Sequence, residues 1–257
     1  MLDKCTTKSW ETSLYEPQQL YYNLMGEKIL TDKNVKSAYY MAKHKQSCDS
    51  PAWDGMTRTI LIDGMEQDQA WSLIRYHILH GPSDCVKRFD IPKSNGKTRP
   101  ISIYPLLDRV AQWCIMGPLS KACGPLLSPI NHAFQKGKSC KTAFEAFPPA
   151  GEAGYVICGD IHSFFDTVSH SLVRACLWSA GIRDSQLLHT INVTLKTPYK
   201  YPKQPKVRPE QGLPQGAPIS PLLANIILAY MDRYFVSLYG DQKLPRMVRY
   251  ADDFVIF

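Results

Sequence analysis

The chain alternates between stretches with helical apolar spacing and short apolar runs typical of strands. Three helices are predicted in its first half: Val35 to Lys45, Gln69 to Leu79 and Leu106 to Met116. Gly81-Pro82 ends the second of these helices, and Gly117-Pro118 breaks the third, which Pro105 opens. The first half is therefore predicted to be largely helical.

A hairpin is predicted within this helical half. Phe89 to Ile91 and Pro100 to Ile103 have the composition of short strands. Between them, Ser94-Asn95-Gly96 contains the Asn-Gly pair that favours a tight turn.

The second half predicts a compact mixture of strands and helices. The run YVICGD predicts a buried strand that delivers Asp160 at its end. The other elements predicted are a helix from Ser169 to Ala180, a helix beginning at Ser220-Pro221, and two short strands that meet at Ala251-Asp252-Asp253. Pro148-Pro149 with Gly151 and Gly154 marks a seam, so we expect a lobe of residues 1–150 and an α+β lobe of residues 151–257.

Composition narrows the class of protein. The 257 residues are 44% hydrophobic and 21% charged, which is typical of a globular chain. A net charge of +7 suggests a polyanionic partner. The longest apolar stretch, Leu222 to Met231, is too short to cross a membrane, and the N-terminus lacks a secretory signal. We therefore expect a cytoplasmic protein without a membrane partner.

The eight cysteines are scattered and form no Cys-x-x-Cys pair. This spacing favours reduced thiols over a disulfide framework or a structural zinc site.

Three acids fall at positions suited to holding a cation. Asp160 ends a predicted strand, and Asp252 and Asp253 lie at a predicted hairpin tip. Clustered carboxylates raise one another's pKa unless a cation balances their charge. Mg²⁺ prefers such hard oxygen ligands, and a pair of ions can clamp a phosphoryl displacement. The alternative is that these are ordinary solvated acids, which are common at strand ends and turns.

Ordered motifs add a family resemblance to this pattern. GDIHSFFD, GLPQGAPISPLLANIILAYMD and RYADDFVIF occur in sequence and together resemble the palm motifs of reverse transcriptases, closest to the bacterial, group II intron-encoded branch. The segment from Ile91 to Pro100, Leu107-Asp108-Arg109 and Gln112 resemble the fingers motifs of that family. NVKSAYYMAKHKQ followed by Trp53-Asp54-Gly55-Met56 resembles its N-terminal extension.

The resemblance implies a fold and an activity. The fold would be the fingers and palm of a right-hand polymerase, with an antiparallel palm sheet, packed helices and no thumb. The activity would be RNA-directed DNA polymerisation with a maturase role in intron splicing and retrohoming. Because relatives continue into a thumb, we expect this chain to be a fragment that is weak or inactive alone.

Specific residues inherit roles through the matching motifs. Asp160, Asp252 and Asp253 match the catalytic acids, and with the carbonyl of Ile161 they would hold two Mg²⁺ ions, for which Mn²⁺ could substitute. The residues that match nucleotide-binding positions are Lys93, Arg99, Phe165 and Gln215. The alternatives are solvated hairpin charges for the cations and a plain core position for Phe165.

Basic residues form two further candidate surfaces for RNA. Lys196 to Pro209 contains no acid and alternates cations with tyrosine and proline, which suits phosphate contacts or, equally, a solvated loop. His132 to Ser139 carries lysines where the family usually has arginines. Lysine keeps the charge but lacks the planar guanidinium that binds a phosphate through two hydrogen bonds. The RNA-binding residues predicted are Lys97, Lys136, Lys138, Lys196, Lys200, Lys203, Lys206 and Arg208.

The expected partners follow from this assignment. They are an RNA template, a DNA primer, deoxynucleoside triphosphates, a structured intron RNA and a second copy of the chain in a homodimer. Two alternatives stay open: a retron- or defence-associated reverse transcriptase, and an RNA-binding splicing cofactor with little polymerase activity. The sequence from Ser220 to Asn225 favours the intron branch over the retron- or defence-associated alternative.

Overall fold

The structure is a computed structural model that describes residues 15–49, 51–92, 96–149, 151, 153–239 and 246–257. Its α-helices are α1 (Asp32–His44), α2 (Arg58–Ile62), α3 (Gln67–His80), α4 (Leu106–Ala122), α5 (Cys140–Glu145), α6 (Phe164–Thr167), α7 (His170–Ser179), α8 (Ser185–Leu195) and α9 (Ser220–Tyr239). Its strands are β1 (Val86–Pro92), β2 (Thr98–Ile103), β3 (Ile157–Asp160), β4 (Tyr199–Lys200), β5 (Met247–Tyr250) and β6 (Asp253–Ile256). This mixture confirms the predicted α+β class.

The hairpin of the first half forms with the predicted pairing. Strands β1 and β2 are antiparallel, with Pro92 opposite Thr98 and Lys87 opposite Ile103. Strand β4 adds to the other edge of β1 in parallel, which the local pattern did not predict. The Ser94 and Asn95 positions of the turn lie outside the described residues.

Helix α4 corrects one prediction. It runs through Gly117-Pro118 to Ala122 instead of ending at Met116. Proline at position 118 has no N–H to donate to the carbonyl of Cys114 four residues earlier. The Asn34 side chain donates to that carbonyl instead, with Nδ2 and O 2.8 Å apart. A residue of α1's first turn thereby replaces the missing helical bond, and the helix continues.

The second sheet has the strand order β3-β6-β5, and both pairings are antiparallel. The prediction that YVICGD is a buried strand was wrong, because β3 lies at the sheet edge with Ile157 59% exposed. The same strand does end at Asp160, as predicted.

Helices from both halves share one hydrophobic core. It contains buried residues of α1, α3 and α4 together with those of α7, α8 and α9. Helix α8, which was not predicted from the sequence, is capped by Asp184, whose Oδ1 accepts the Leu187 N–H at 3.0 Å. Helix α7 is capped by Ser169 as predicted, since its Oγ accepts the Leu172 N–H.

Two observations concern partners and thiols. Within the part of the chain that the structure describes, no helix is long and apolar enough to span a membrane. The described cysteines are free thiols, and Cys140 and Cys158 are the exposed ones among them.

Candidate active site

Asp160 and Asp253 face each other across the second sheet. Asp160 is the last residue of β3 and Asp253 the first of β6, and the two are register partners. Directly opposed residues in an antiparallel pair project to the same side of the sheet, with Cβ atoms about 4.5–5.5 Å apart. Two like charges in this arrangement destabilise the pairing unless a cation or a proton is present.

Asp252 lies in the turn beside this pair. Ala251 adopts the left-handed conformation with φ of 58°, which turns the chain from β5 into β6. The carbonyl of Asp252 then accepts the Ile161 N–H at 3.2 Å. The turn is thereby fixed to the residue that follows Asp160.

The three acids influence one another electrostatically. The pKa of the Asp253 carboxyl is raised, first by burial and then by the charges of Asp252 and Asp160. A cation among these carboxylates would offset that repulsion, and carboxylate oxygens are the donors that Mg²⁺ prefers. The donor chemistry therefore fits a hard divalent ion. Among the described residues, no three His, Cys, Asp or Glu side chains are grouped closely enough to hold a metal on their own.

The Ile161 carbonyl already has a hydrogen-bond partner. It accepts the Phe164 N–H at 3.1 Å as α6 begins. Its second lone pair stays available, so the predicted role as a metal ligand stays a prediction.

A buried ion pair holds the turn of residues 251–252, and it was not predicted from the sequence. Arg249 of β5 and Asp232 of α9 are both fully buried. The Nε and Nη2 atoms of Arg249 donate to the two Asp232 oxygens at 2.7 and 2.6 Å. The third nitrogen, Nη1, donates to the Ala251 carbonyl at 2.7 Å. Arg249 therefore connects α9 directly to the turn that carries Asp252.

The backbone of Arg249 is held by a second segment. Its N–H donates to the Ile130 carbonyl at 2.9 Å, and its carbonyl accepts the His132 N–H at 2.8 Å. Asn225 of α9 donates to the Ala133 carbonyl at 2.9 Å and so satisfies a buried backbone group. Helix α9, residues 130–133 and β5 thus form one bonded support for the acids.

Three of the four predicted nucleotide-binding residues lie in different surroundings. Lys93 lies outside the described residues. Arg99 is exposed on β2, opposite Ile91. Phe165 is half-buried: it packs on the core and also lines a cavity of about 430 Å³, together with Arg88.

Gln215 and Gly216 contact the β1–β2 hairpin. The Gln215 carbonyl accepts the Ser102 N–H at 2.8 Å. Gly216 has φ of 105°, and a Cβ there would lie 2.2 Å from the Ser102 carbonyl oxygen. The backbone at this glycine therefore lies directly against strand β2.

The predicted RNA-binding residues lie mostly at the surface. Those classed as exposed are Lys97, Lys136, Lys196, Lys203, Lys206 and Arg208. Lys138 donates to the Pro129 carbonyl at 3.0 Å, and Lys206 forms an ion pair with Asp84. The segment from Lys196 to Pro209 is a folded hairpin, since Tyr199 and Val207 exchange two backbone hydrogen bonds of 2.9 Å.

A comparison with protein families matches residues 91–257 to the reverse transcriptase (RNA-dependent DNA polymerase) family. The group II intron-encoded protein LtrA of Lactococcus lactis subsp. cremoris is 31% identical over 159 residues, 60% of this chain and 26% of LtrA. Protein YkfC of Escherichia coli is 30% identical over 202 residues, 76% of this chain and 52% of YkfC. The retron Mx65 reverse transcriptase of Myxococcus xanthus is 28% identical over 194 residues, 70% of this chain and 43% of that protein.

A solved structure shares the architecture. A chain of a partial Cas6-RT-Cas1–Cas2 complex superposes with a TM-score of 0.53 and 25% identity, covering 89% of this chain and 37% of that one. The chain spans about half or less of the length of these relatives. The motifs, the acids at the ends of paired strands and the family match agree: this chain belongs to the reverse transcriptase family.

Proposed function

We propose that this chain is the fingers and palm of an RNA-directed DNA polymerase of group II intron type. The observation that carries the proposal is the position of three acids at one end of the β3-β6-β5 sheet, with Asp160 opposite Asp253 and Asp252 in the adjoining turn. The substrates are a DNA primer, an RNA template and deoxynucleoside triphosphates. The lobe boundary near residue 150 is part of the same proposal.

The three acids would hold Mg²⁺, or Mn²⁺ in its place, as a pair of ions whose remaining ligands are water and substrate phosphate oxygens. When bound, such ions lower the pKa of a primer hydroxyl and stabilise charge on the leaving group. Asp160 and Asp252, with the Ile161 carbonyl, bind and orient the ions, and Asp253 completes the set. Burial and then the charges of Asp252 and Asp160 raise the pKa of Asp253, and a cation would offset this cost, which supports the assignment.

The remaining residues position the nucleotide. Arg99 and Lys93 neutralise the triphosphate from the hairpin, as cations on a projecting strand pair can. Phe165 excludes a ribose 2′-hydroxyl, which its partial exposure in the cavity beside β2 supports. Gln215 lines the nucleotide site from the segment that is bonded to Ser102.

A structured intron RNA is the proposed second partner. The exposed cations of the Lys196–Arg208 hairpin, together with the exposed Lys97 and Lys136 and the half-buried Lys138, support phosphate contacts. LtrA is named as an intron-encoded protein, which favours this partner over the retron alternative. A cytoplasmic homodimer is the assembly that we expect.

Primer extension by the protein that contains this chain tests the proposal. With a DNA primer on an RNA template, Asp252→Asn/Asp253→Asn should lower incorporation by about 100-fold or more, because charge stabilisation at the reacting phosphate is lost. Intron RNA affinity should be unchanged. Asp63→Asn, an exposed acid in the turn after α2, is the matched control and should extend normally.

Equal incorporation by the wild type and the double variant would overturn the polymerase assignment. If both incorporated equally little nucleotide while binding intron RNA tightly, the splicing-cofactor alternative would replace it.

A further inference from the structure

Trp53 presents an aromatic surface on the first half of the molecule. Its side chain is 45% exposed and lies beside the β1–β4 strand pair. The ammonium groups of Lys87 and Lys200 lie 5.6 and 5.7 Å from the centre of the ring. We call Trp53, Lys87 and Lys200 the Trp53 platform.

The two lysines of the platform are neighbours by register. Lys87 of β1 is the partner of Lys200 in the parallel pairing with β4. Adjacent like charges on a sheet destabilise it unless something neutralises them. Among the described residues, neither lysine has a carboxylate partner within ion-pair distance. An anion from outside the chain would supply the missing charge.

The acids nearest the platform bind other partners than its two lysines. A cavity of about 330 Å³ is lined by Trp53 and Lys200, and also by Asp54 and Asp84. Asp84 is paired with Lys206, and Asp54 accepts the Met56 N–H at 3.2 Å. Neither acid forms an ion pair with Lys87 or Lys200.

A second exposed tryptophan, Trp178, has a cation of the same chain close to its ring and serves as a comparison. Trp178 is 48% exposed, but the Arg183 guanidinium lies over its ring at 4.0 Å and also donates to the Trp178 carbonyl. The ammonium groups of Lys87 and Lys200 also lie over the Trp53 ring, but at 5.6 and 5.7 Å from its centre they are farther away than the guanidinium at Trp178. Aromatic surfaces flanked by cations bind unpaired bases, with the base on the ring and its phosphates on the cations.

We propose that the Trp53 platform binds an unpaired nucleic-acid strand, with one base stacked on Trp53 and the adjacent phosphates on Lys87 and Lys200. This inference rests on the proposed function only in assuming a nucleic-acid partner. Side chains alternate along β1, so Lys87 lies on the face opposite Arg88, which lines the cavity that contains Phe165. The platform is therefore a contact additional to the nucleotide site.

Fluorescence anisotropy with a labelled single-stranded oligouridylate tests the stacking. Binding is measured on the Asp252→Asn/Asp253→Asn protein, so that no extension occurs. Trp53→Ala should weaken binding by roughly 5- to 150-fold, the equivalent of one stacked base. Trp53→Phe should retain most of the affinity, and Trp178→Ala, the matched control, should bind like the parent.

Salt dependence tests the two lysines separately. Lys87→Ala and Lys200→Ala should each reduce the slope of log affinity against log salt by about 0.7 for a single strand. Lys33→Ala, an exposed lysine of α1, should leave the slope unchanged.

Three results would overturn the proposal. They are unchanged affinity in Trp53→Ala, an equal loss in Trp53→Phe with the fold intact by circular dichroism, and an equal loss for fully duplex RNA. Each result leaves primer extension by the wild-type protein to be judged independently, so the two proposals fail separately.

Discussion

Arg249 joins three parts of the molecule through one side chain. Two of its nitrogens bind Asp232 on α9, and the third binds the carbonyl of Ala251 in the acidic turn. Burial raises the pKa of the Asp232 carboxyl, and its bonds from Arg249 oppose that rise. A buried ion pair is costly to desolvate, and because Arg249 also binds the Ala251 carbonyl, we expect the pair to position the turn as well as to stabilise the fold.

The stabilising and positioning roles of this pair can be separated. Asp232→Leu leaves the guanidinium buried without its partner and should lower the free energy of unfolding by about 3–5 kcal/mol. The double change Asp232→Leu/Arg249→Met removes both charges and should recover much of that loss. It cannot restore the bond to the Ala251 carbonyl, so primer extension should stay impaired.

Urea unfolding and primer extension on the same proteins measure the two effects. Full recovery of extension along with stability in the double variant would show that Arg249 acts on folding alone.

Helix α4 shows how one element depends on a residue far away in sequence. Pro118 leaves the Cys114 carbonyl without a helical donor, and Asn34 supplies one from α1. The sequence signal of Gly117-Pro118 predicts a helix end, because the local pattern contains no information about a donor about 80 residues away. The structure continues the helix and buries Leu119 and Ala122 in the core.

A double-mutant cycle tests this explanation. Asn34→Ala should lower the free energy of unfolding by about 1–3 kcal/mol, since it leaves a buried carbonyl without a donor. In a Pro118→Ala background the backbone N–H returns, and the same change should cost less. Part of the cost should remain, because Asn34 also donates to the Ile29 carbonyl at 2.8 Å.

Urea unfolding of the wild type, the two single variants and the double variant gives the coupling free energy between Asn34 and Pro118. Additive effects, with the cost of Asn34→Ala unchanged by the proline substitution, would refute a link between Asn34 and the helix.

The two halves of the molecule fold around one core, which contains buried residues of helices from both. Gly216 rests on Ser102 of the hairpin, and residues 130–133 bond to β5. Backbone contacts therefore connect residues 1–150 to the second sheet.

The sequence predicted the elements that local chemistry specifies. The β5–β6 hairpin, the cap of α7 at Ser169 and the strand ending at Asp160 all follow from turn residues, caps and apolar runs. Local pattern could not predict that β3 lies at an exposed edge, that β4 pairs with β1, or that Arg249 binds Asp232. These features depend on which segments meet in space, and no short stretch of sequence encodes that.

Manganese binding tests the central claim, that Asp160, Asp252 and Asp253 form one cation site. Mn²⁺ titrated into the protein and followed by electron paramagnetic resonance should bind to the wild type. Asp160→Asn should weaken binding by about tenfold or more, since even outer-shell changes reach that size. Asp166→Asn, an exposed acid on α6, should bind like the wild type. Equal Mn²⁺ binding by all three proteins would contradict the claim.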